Sequence, residues 1–105
     1  MFSIIKNLFN QESTDYASLA SQGAKIIDVR SPGEFAGGHI KGSINIPLDS
    51  LSQNLKKLGD PKSPIILCCA SGMRSGSAKG MLEGKGFTQV YNGGGWQSLS
   101  AKVGK

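Results

Sequence analysis

Cys69 closes the apolar run Pro64-Ile65-Ile66-Leu67-Cys68 and opens the stretch Cys69-Ala70-Ser71-Gly72-Met73-Arg74-Ser75. The run reads as a buried strand, the glycine marks a turn, and the residues beyond have helical spacing. A cysteine between a strand end and a helix start lies where backbone N–H groups converge, beside the positive end of the helix. Both favour the thiolate over the thiol. Arg74 adds a full charge, either to this cradle or to an acid that braces it. The chemistry predicted at Cys69 is therefore nucleophilic sulfur or anion chemistry. Ala70, Ser71, Gly72, Met73 and Arg74 form the candidate anion-binding loop. Cys68 is its strand neighbour, so its side chain is expected on the opposite face as a buried, inert thiol.

The rest of the chain has to position that loop. Residues 15–22 read as a helix with Ser13 or Thr14 as its cap, ended by Gly23. Residues 25–29 read as a strand, followed by a helical turn with Ser31 as cap and Pro32 at its first position. A second short strand spans 43–46. Leu48, Leu51, Leu55 and Leu58 recur at helical spacing, which predicts one amphipathic helix over 48–58. Residues 64–68 are the third strand, and a helix is expected over 74–85. Gly76 and Gly80 inside that helix imply some close contact that offsets their cost. Residues 87–91 read as a fourth strand, and Asn92-Gly93-Gly94-Gly95 as a flexible turn into a terminal helix.

Strands alternating with helices predict one α/β domain, with a mainly parallel central sheet and helices on both faces. In such sheets the site lies beyond the C-terminal strand ends, where Asp28, Arg30 and Cys69 all fall. Asp28, Arg30 and Glu34 are expected to form ion pairs and hydrogen bonds that brace the loop after the first strand.

Composition narrows the alternatives. A chain of 105 residues can hold one ordinary core. The net charge of +5 comes from lysines scattered along the chain, which argues for a solvated surface rather than a nucleic-acid footprint. The two cysteines are adjacent, so a disulfide framework is excluded and a reducing compartment, the cytoplasm, is expected. One cysteine pair and a lone His39 build no zinc set. The first residues are too short and interrupted for a signal peptide or a membrane span. Phe2, Ile5 and Phe9 could share one helical face, which is expected to pack on the domain rather than on a membrane. Residues 1–12 are set apart as an N-terminal extension from a domain over 13–105.

The motifs taken together resemble the rhodanese-homology family. They are Ile27-Asp28-Val29-Arg30, Glu34-Phe35, the segment from Gly38-His39-Ile40 to Ile46-Pro47, the Cys69 loop with Gly72, Arg74 and Ser75, Gly86-Phe87, and Gly94-Gly95-Trp96. Each is weak alone; their order and spacing cover residues 13–100. The resemblance implies a sulfurtransferase. Cys69 would take a sulfane sulfur from a small anionic donor such as thiosulfate, hold it as a persulfide, and pass it to cyanide or a thiol.

The resemblance implies no cofactor and no metal, and the domain is expected to act as a monomer. A carrier that delivers sulfur to a protein acceptor is the alternative. Two further readings rank lower. A non-catalytic interaction module would be expected to have lost the cysteine. A phosphatase or arsenate reductase would be expected to have one more residue in the loop, since a phosphoryl group needs a wider ring of N–H groups. His39 is implied as a structural hydrogen-bonder rather than half of a Cys–His dyad. The chain departs from many thiosulfate-using relatives at Ala70, where they carry a cation, so a persulfide or protein donor is implied as readily as thiosulfate.

Overall fold

The computed structural model describes residues 14–105. Ser13, the extension over 1–12 and its apolar face lie outside the described residues. The chain runs α1 (Tyr16–Ser21), β1 (Lys25–Asp28), α2 (Pro32–Ala36), β2 (Ile44–Asn45), two 3-10 segments (Leu48–Gln53 and Leu55–Leu58), β3 (Ile65–Cys69), α3 (Met73–Gly84), β4 (Val90–Gly95) and α4 (Trp96–Val103). The four strands pair in the order β2-β1-β3-β4, all parallel. The predicted α/β architecture is thus the observed one.

Period-two alternation splits the core between the two faces of the sheet. Ile27, Ile65, Leu67 and Cys69 pack with Leu51, Leu58, Ala78, Leu82 and Phe87, so α3 and the 3-10 segments cover that face. Ile26, Ile66 and Cys68 pack with Ile40, Leu99, Trp96 and Tyr16, so α1 and α4 cover the other. Continuous apolar strands are what a parallel sheet covered on both faces requires.

Four expectations need correction. The leucine-spaced segment is not one helix but two 3-10 pieces, broken at Asn54. Leu51 and Leu58 are still fully buried. Ser50 and Asn54 bond local carbonyls, Ser50 Oγ to Pro47 O at 3.2 Å and Asn54 Nδ2 to Ser50 O at 2.7 Å, and such bonds compete with a regular helix. The cap of α1 is Asp15, which accepts from Ser18 N at 3.0 Å. The fourth strand is not 87–91 but Val90–Gly95, so it takes in the glycines read as a turn. Two of them lie too close to their neighbours for a side chain: a Cβ on Gly93 would stand 2.9 Å from Leu67 O and one on Gly95 2.9 Å from Ala70 O. Only one of the two glycines inside α3 has a close contact. A Cβ on Gly76 would meet Asn92 Nδ2 at 3.3 Å, whereas Gly80 faces open space.

One irregularity bears on the site. Leu67 pairs with Asn92 but Cys69 pairs with Gly95, so β4 carries one more residue than β3 between these points. That bulge re-aims the end of β4 beside the cysteine loop.

Candidate active site

Cys69 is the last residue of β3, and its side chain is buried under the loop that leads to α3. Gly72 makes the turn with φ +104°, a backbone angle that L side chains rarely adopt. This turn points the loop's amides inward. Gly72 N donates to Sγ at 2.9 Å and Ser75 N at 3.4 Å, while Ser75 Oγ lies 3.3 Å away. Burial pushes the Cys69 thiol up, but the Ser75 hydroxyl and the N–H groups of Ser75, Ser71 and Gly72 outweigh it, and the pKa ends below its ordinary value. The arrangement is an N–H nest closed around one sulfur.

Cys68 illustrates the opposite environment. It faces the other core, where burial, the Asp28 charge and the neighbouring Cys69 outweigh Arg30 and push its thiol up to about 12. It is a buried protonated thiol at neutral pH.

Arg74 takes the second of the two roles open to it. Its guanidinium grips Glu34 with two bonds, Nη1 to Oε1 at 2.7 Å and Nη2 to Oε2 at 3.0 Å. Glu34 is placed for this by a capping box at the start of α2. Its carboxylate accepts from Ser31 N at 3.1 Å, and Ser31 Oγ accepts from Glu34 N at 3.3 Å. The first turn of α3 is thereby tied to α2.

A second brace lies beneath. Arg30 Nε and Nη2 hold the Asp28 carboxylate, the shortest bond being 2.7 Å, and Nη2 also donates to Gly38 O at 2.7 Å. Both side chains are almost wholly buried. The Arg30 guanidinium lies 4.8 Å from the centre of the Trp96 ring, a cation–π contact that fixes α4 against the same brace. His39 is exposed, stacked on Phe35 with its Nδ1 2.7 Å from Phe35 O. The carbonyl accepts, so Nδ1 carries the proton.

Ala70, Ser71 and Met73 are exposed on the loop, and Met73 is 82% accessible. Two clefts lie near the loop, one reaching it at Arg74 and the other at Ser71, Gly72 and Met73. One of about 690 Å³ is mainly apolar and runs from Val29 and Pro32 past Leu48 to Arg74. The other, of about 500 Å³, is polar and lies between Ser71, Gly72 and Met73 and the side chains of Asn92, Tyr16 and Lys102.

Two residues were given no role in the site by the sequence: Ser75, read only as part of the loop motif, and Asn92, read as part of a turn. Ser75 is fully buried against the sulfur. Asn92 meets it from β4, accepting from Ser75 Oγ at 2.6 Å and donating through Nδ2 to Gly72 O at 3.1 Å. The glycine at 76, one residue after the serine, was the available signal, since it leaves room for a side chain from a neighbouring strand.

A parallel four-stranded sheet with a cysteine nested at the end of its central strand defines a class that comparison makes specific. The family model described as the rhodanese-like domain matches residues 12–102, and the chain belongs to that family. The Bacillus subtilis protein YqhL is 43% identical over 76% of this chain and 64% of its own length. The Ectopseudomonas mendocina thiosulfate sulfurtransferase GlpE is 40% identical over 70% of this chain and 67% of its own. Among solved structures, an Escherichia coli rhodanese with anions superposes at a TM-score of 0.69 with 34% identity, covering 72% of this chain and 91% of that one. The Bacillus anthracis protein CoADR-RHD, solved in its reduced form, is 39% identical at a TM-score of 0.66. It matches over 82% of this chain but only 15% of its own.

Proposed function

We propose that the chain is a sulfurtransferase that carries a sulfane sulfur as a persulfide on Cys69. The observation that carries this reading is the nest of Gly72 and Ser75 amides on a thiol whose pKa is lowered despite burial. The thiolate attacks the outer sulfur of the donor, the donor's S–S bond breaks, and its electron pair leaves with the donor fragment. A persulfide's outer sulfur is also anionic, so the loop amides that favour the thiolate favour the intermediate too. An acceptor, cyanide or a thiol, then attacks the outer sulfur and the Sγ–S bond breaks, returning the thiolate. The size of the nest, closed on a single sulfur, favours this reading over phosphate ester chemistry. The thiosulfate sulfurtransferases among the relatives support it.

A second reading is favoured by one feature. The charge of Arg74 is already taken up by Glu34, Ala70 brings none, and Met73 stands exposed at the mouth of the loop. That surface suits a protein donor or acceptor better than a free dianion, so a carrier role in a sulfur relay is the alternative. Either role suits a monomer in a reducing cytoplasm.

Intact-mass measurement after treatment with thiosulfate and removal of excess tests the proposal. A gain of one sulfur, about 32 Da, discharged by cyanide and absent in Cys69→Ser, is the expected result for a covalent sulfur intermediate. No gain with thiosulfate, but a gain from a persulfidated protein, would select the carrier reading. No gain from either would overturn both.

A further inference from the structure

Ser75 has one hydroxyl proton and two groups that compete for it. In the structure the Ser75 hydroxyl donates to Asn92 Oδ1 at 2.6 Å, and Sγ of Cys69 stands 3.3 Å from Ser75 Oγ. The orientation of Asn92 is not free. Gly94 N donates to Oδ1 at 3.0 Å and Nδ2 donates to Gly72 O at 3.1 Å, so a flipped amide would set N–H against N–H and C=O against C=O. Tyr16 Oη donates to the Asn92 carbonyl at 2.9 Å and holds the backbone as well. Asn92 therefore presents Ser75 with an acceptor only.

We infer that Asn92 is a positioning residue that sets which sulfur state the site prefers, by drawing the Ser75 hydroxyl proton away from Sγ. With the proton on the Asn92 side, the Ser75 oxygen offers Sγ a lone pair. That suits a thiol, whose S–H can donate to it, and tolerates the uncharged Sγ of a persulfide. It opposes a thiolate, which needs the hydroxyl turned inward as a donor. Each time Cys69 becomes a thiolate, Ser75 must release Asn92 and turn. Asn92 thus moderates the activation given by the loop amides and favours the loaded, persulfide form over the discharged one. When an acceptor takes the outer sulfur, the Sγ–S electron pair stays on Sγ and the inward turn of Ser75 receives it. This last consequence rests on the persulfide reading; the effect on the thiolate does not.

Gly76 fits the same purpose, because a Cβ there would crowd Asn92 Nδ2 at 3.3 Å. Among the described residues, the other charged groups near Asn92 and the strand ends have partners: Lys102 of α4, in the polar cleft beside Asn92, lies 5.6 Å from the centre of the Tyr16 ring. Arg74 of α3 is held by Glu34 of α2, and Asp28 of β1 and Arg30 just after it hold each other beside Cys68.

The test is the pH profile of iodoacetamide alkylation of Cys69, read by mass spectrometry, in a four-protein cycle of wild type, Asn92→Ala, Ser75→Ala and the double variant. Alkylation needs no sulfur donor, so its result stands apart from the sulfurtransferase reading. Asn92→Ala should shift the profile to lower pH, with alkylation on its rising limb about fivefold faster, the scale of one redirected hydrogen bond. In the Ser75→Ala background the same change should have no effect. An unchanged or upward shift for Asn92→Ala, or an equal shift in both backgrounds, would overturn the inference and leave Asn92 as a loop brace. If Asn92→Ala does not fold, Asn92→Ser removes the amide and the same cycle applies.

Discussion

Cys68 and Cys69 carry the same thiol one peptide bond apart, and both are buried. One looks into a core of aliphatic side chains beside the Asp28 carboxylate, the other into a ring of amide donors. The first is pushed up to about 12 and the second is lowered. Burial raises both, so burial alone says nothing about reactivity. What separates them is the face of the sheet and whether donors on that face converge on the sulfur.

The sharpest way to break this comparison is to remove each sulfur in turn. Cys69→Ser should abolish persulfide formation while the thermal melt stays close to wild type. Cys68→Ser should keep persulfide formation within about twofold but lower stability by about 1–3 kcal/mol, because it places a hydroxyl in an apolar cluster. Equal loss of transfer in both variants would mean that the two thiols act together across the strand.

The two braces under the loop make a second contrast of the same kind. Asp28–Arg30 is buried and Glu34–Arg74 is partly open to solvent. Removing one partner of a buried pair leaves an uncompensated charge, so Arg30→Ala should cost about 3–5 kcal/mol in urea unfolding. Arg74→Ala should lower the unfolding midpoint only slightly. A large loss from Arg74→Ala would show that the exposed brace holds the fold and not only the loop.

A smaller effect sharpens the account of Cys69 itself. Ser75→Ala removes the hydroxyl that turns from Asn92 to donate to Sγ once the thiolate forms, and the amides of Gly72 and Ser75 remain. Alkylation at neutral pH should slow by about tenfold, the scale of one hydrogen bond to a charged group. A rate that does not change would assign the whole lowering to the backbone.

These contrasts also explain what could be read from the sequence. The strand, glycine and helix start around Cys69 are local features, as are the Ser31 cap and Pro32 of the following helical turn, and both elements formed where the residues said. Cys68 and Cys69 pointing apart follows from strand alternation alone. Asn92 was not legible, because its position depends on the extra residue in β4 opposite Cys68 and on three glycines that pack as strand. Glycine has poor strand propensity, and here close approach to β3 and to the Ala70 carbonyl overrides it. The leucines at 48, 51, 55 and 58 identified the buried face correctly. Their spacing does not separate an α-helix from two 3-10 turns when serine and asparagine side chains bond the local backbone.

The exposed brace gives the smallest effect and the clearest sign. The Glu34 carboxyl is held at about 2, well below its ordinary range, chiefly by the hydrogen bonds from Arg74 and then by those from Ser31. A folded pKa below the unfolded one adds stability that is fully present above the unfolded value, and it is lost as pH falls from about 4.5 towards 2. Wild type should therefore exceed Glu34→Gln in unfolding midpoint at pH 6, and the two should converge as the pH approaches 2. The gap at pH 6 should also narrow in molar salt, since both partners are accessible to counterions. A gap that survives at pH 2 would mean that Glu34 acts as an uncharged hydrogen-bonding cap for α2, with Arg74 contributing little to it.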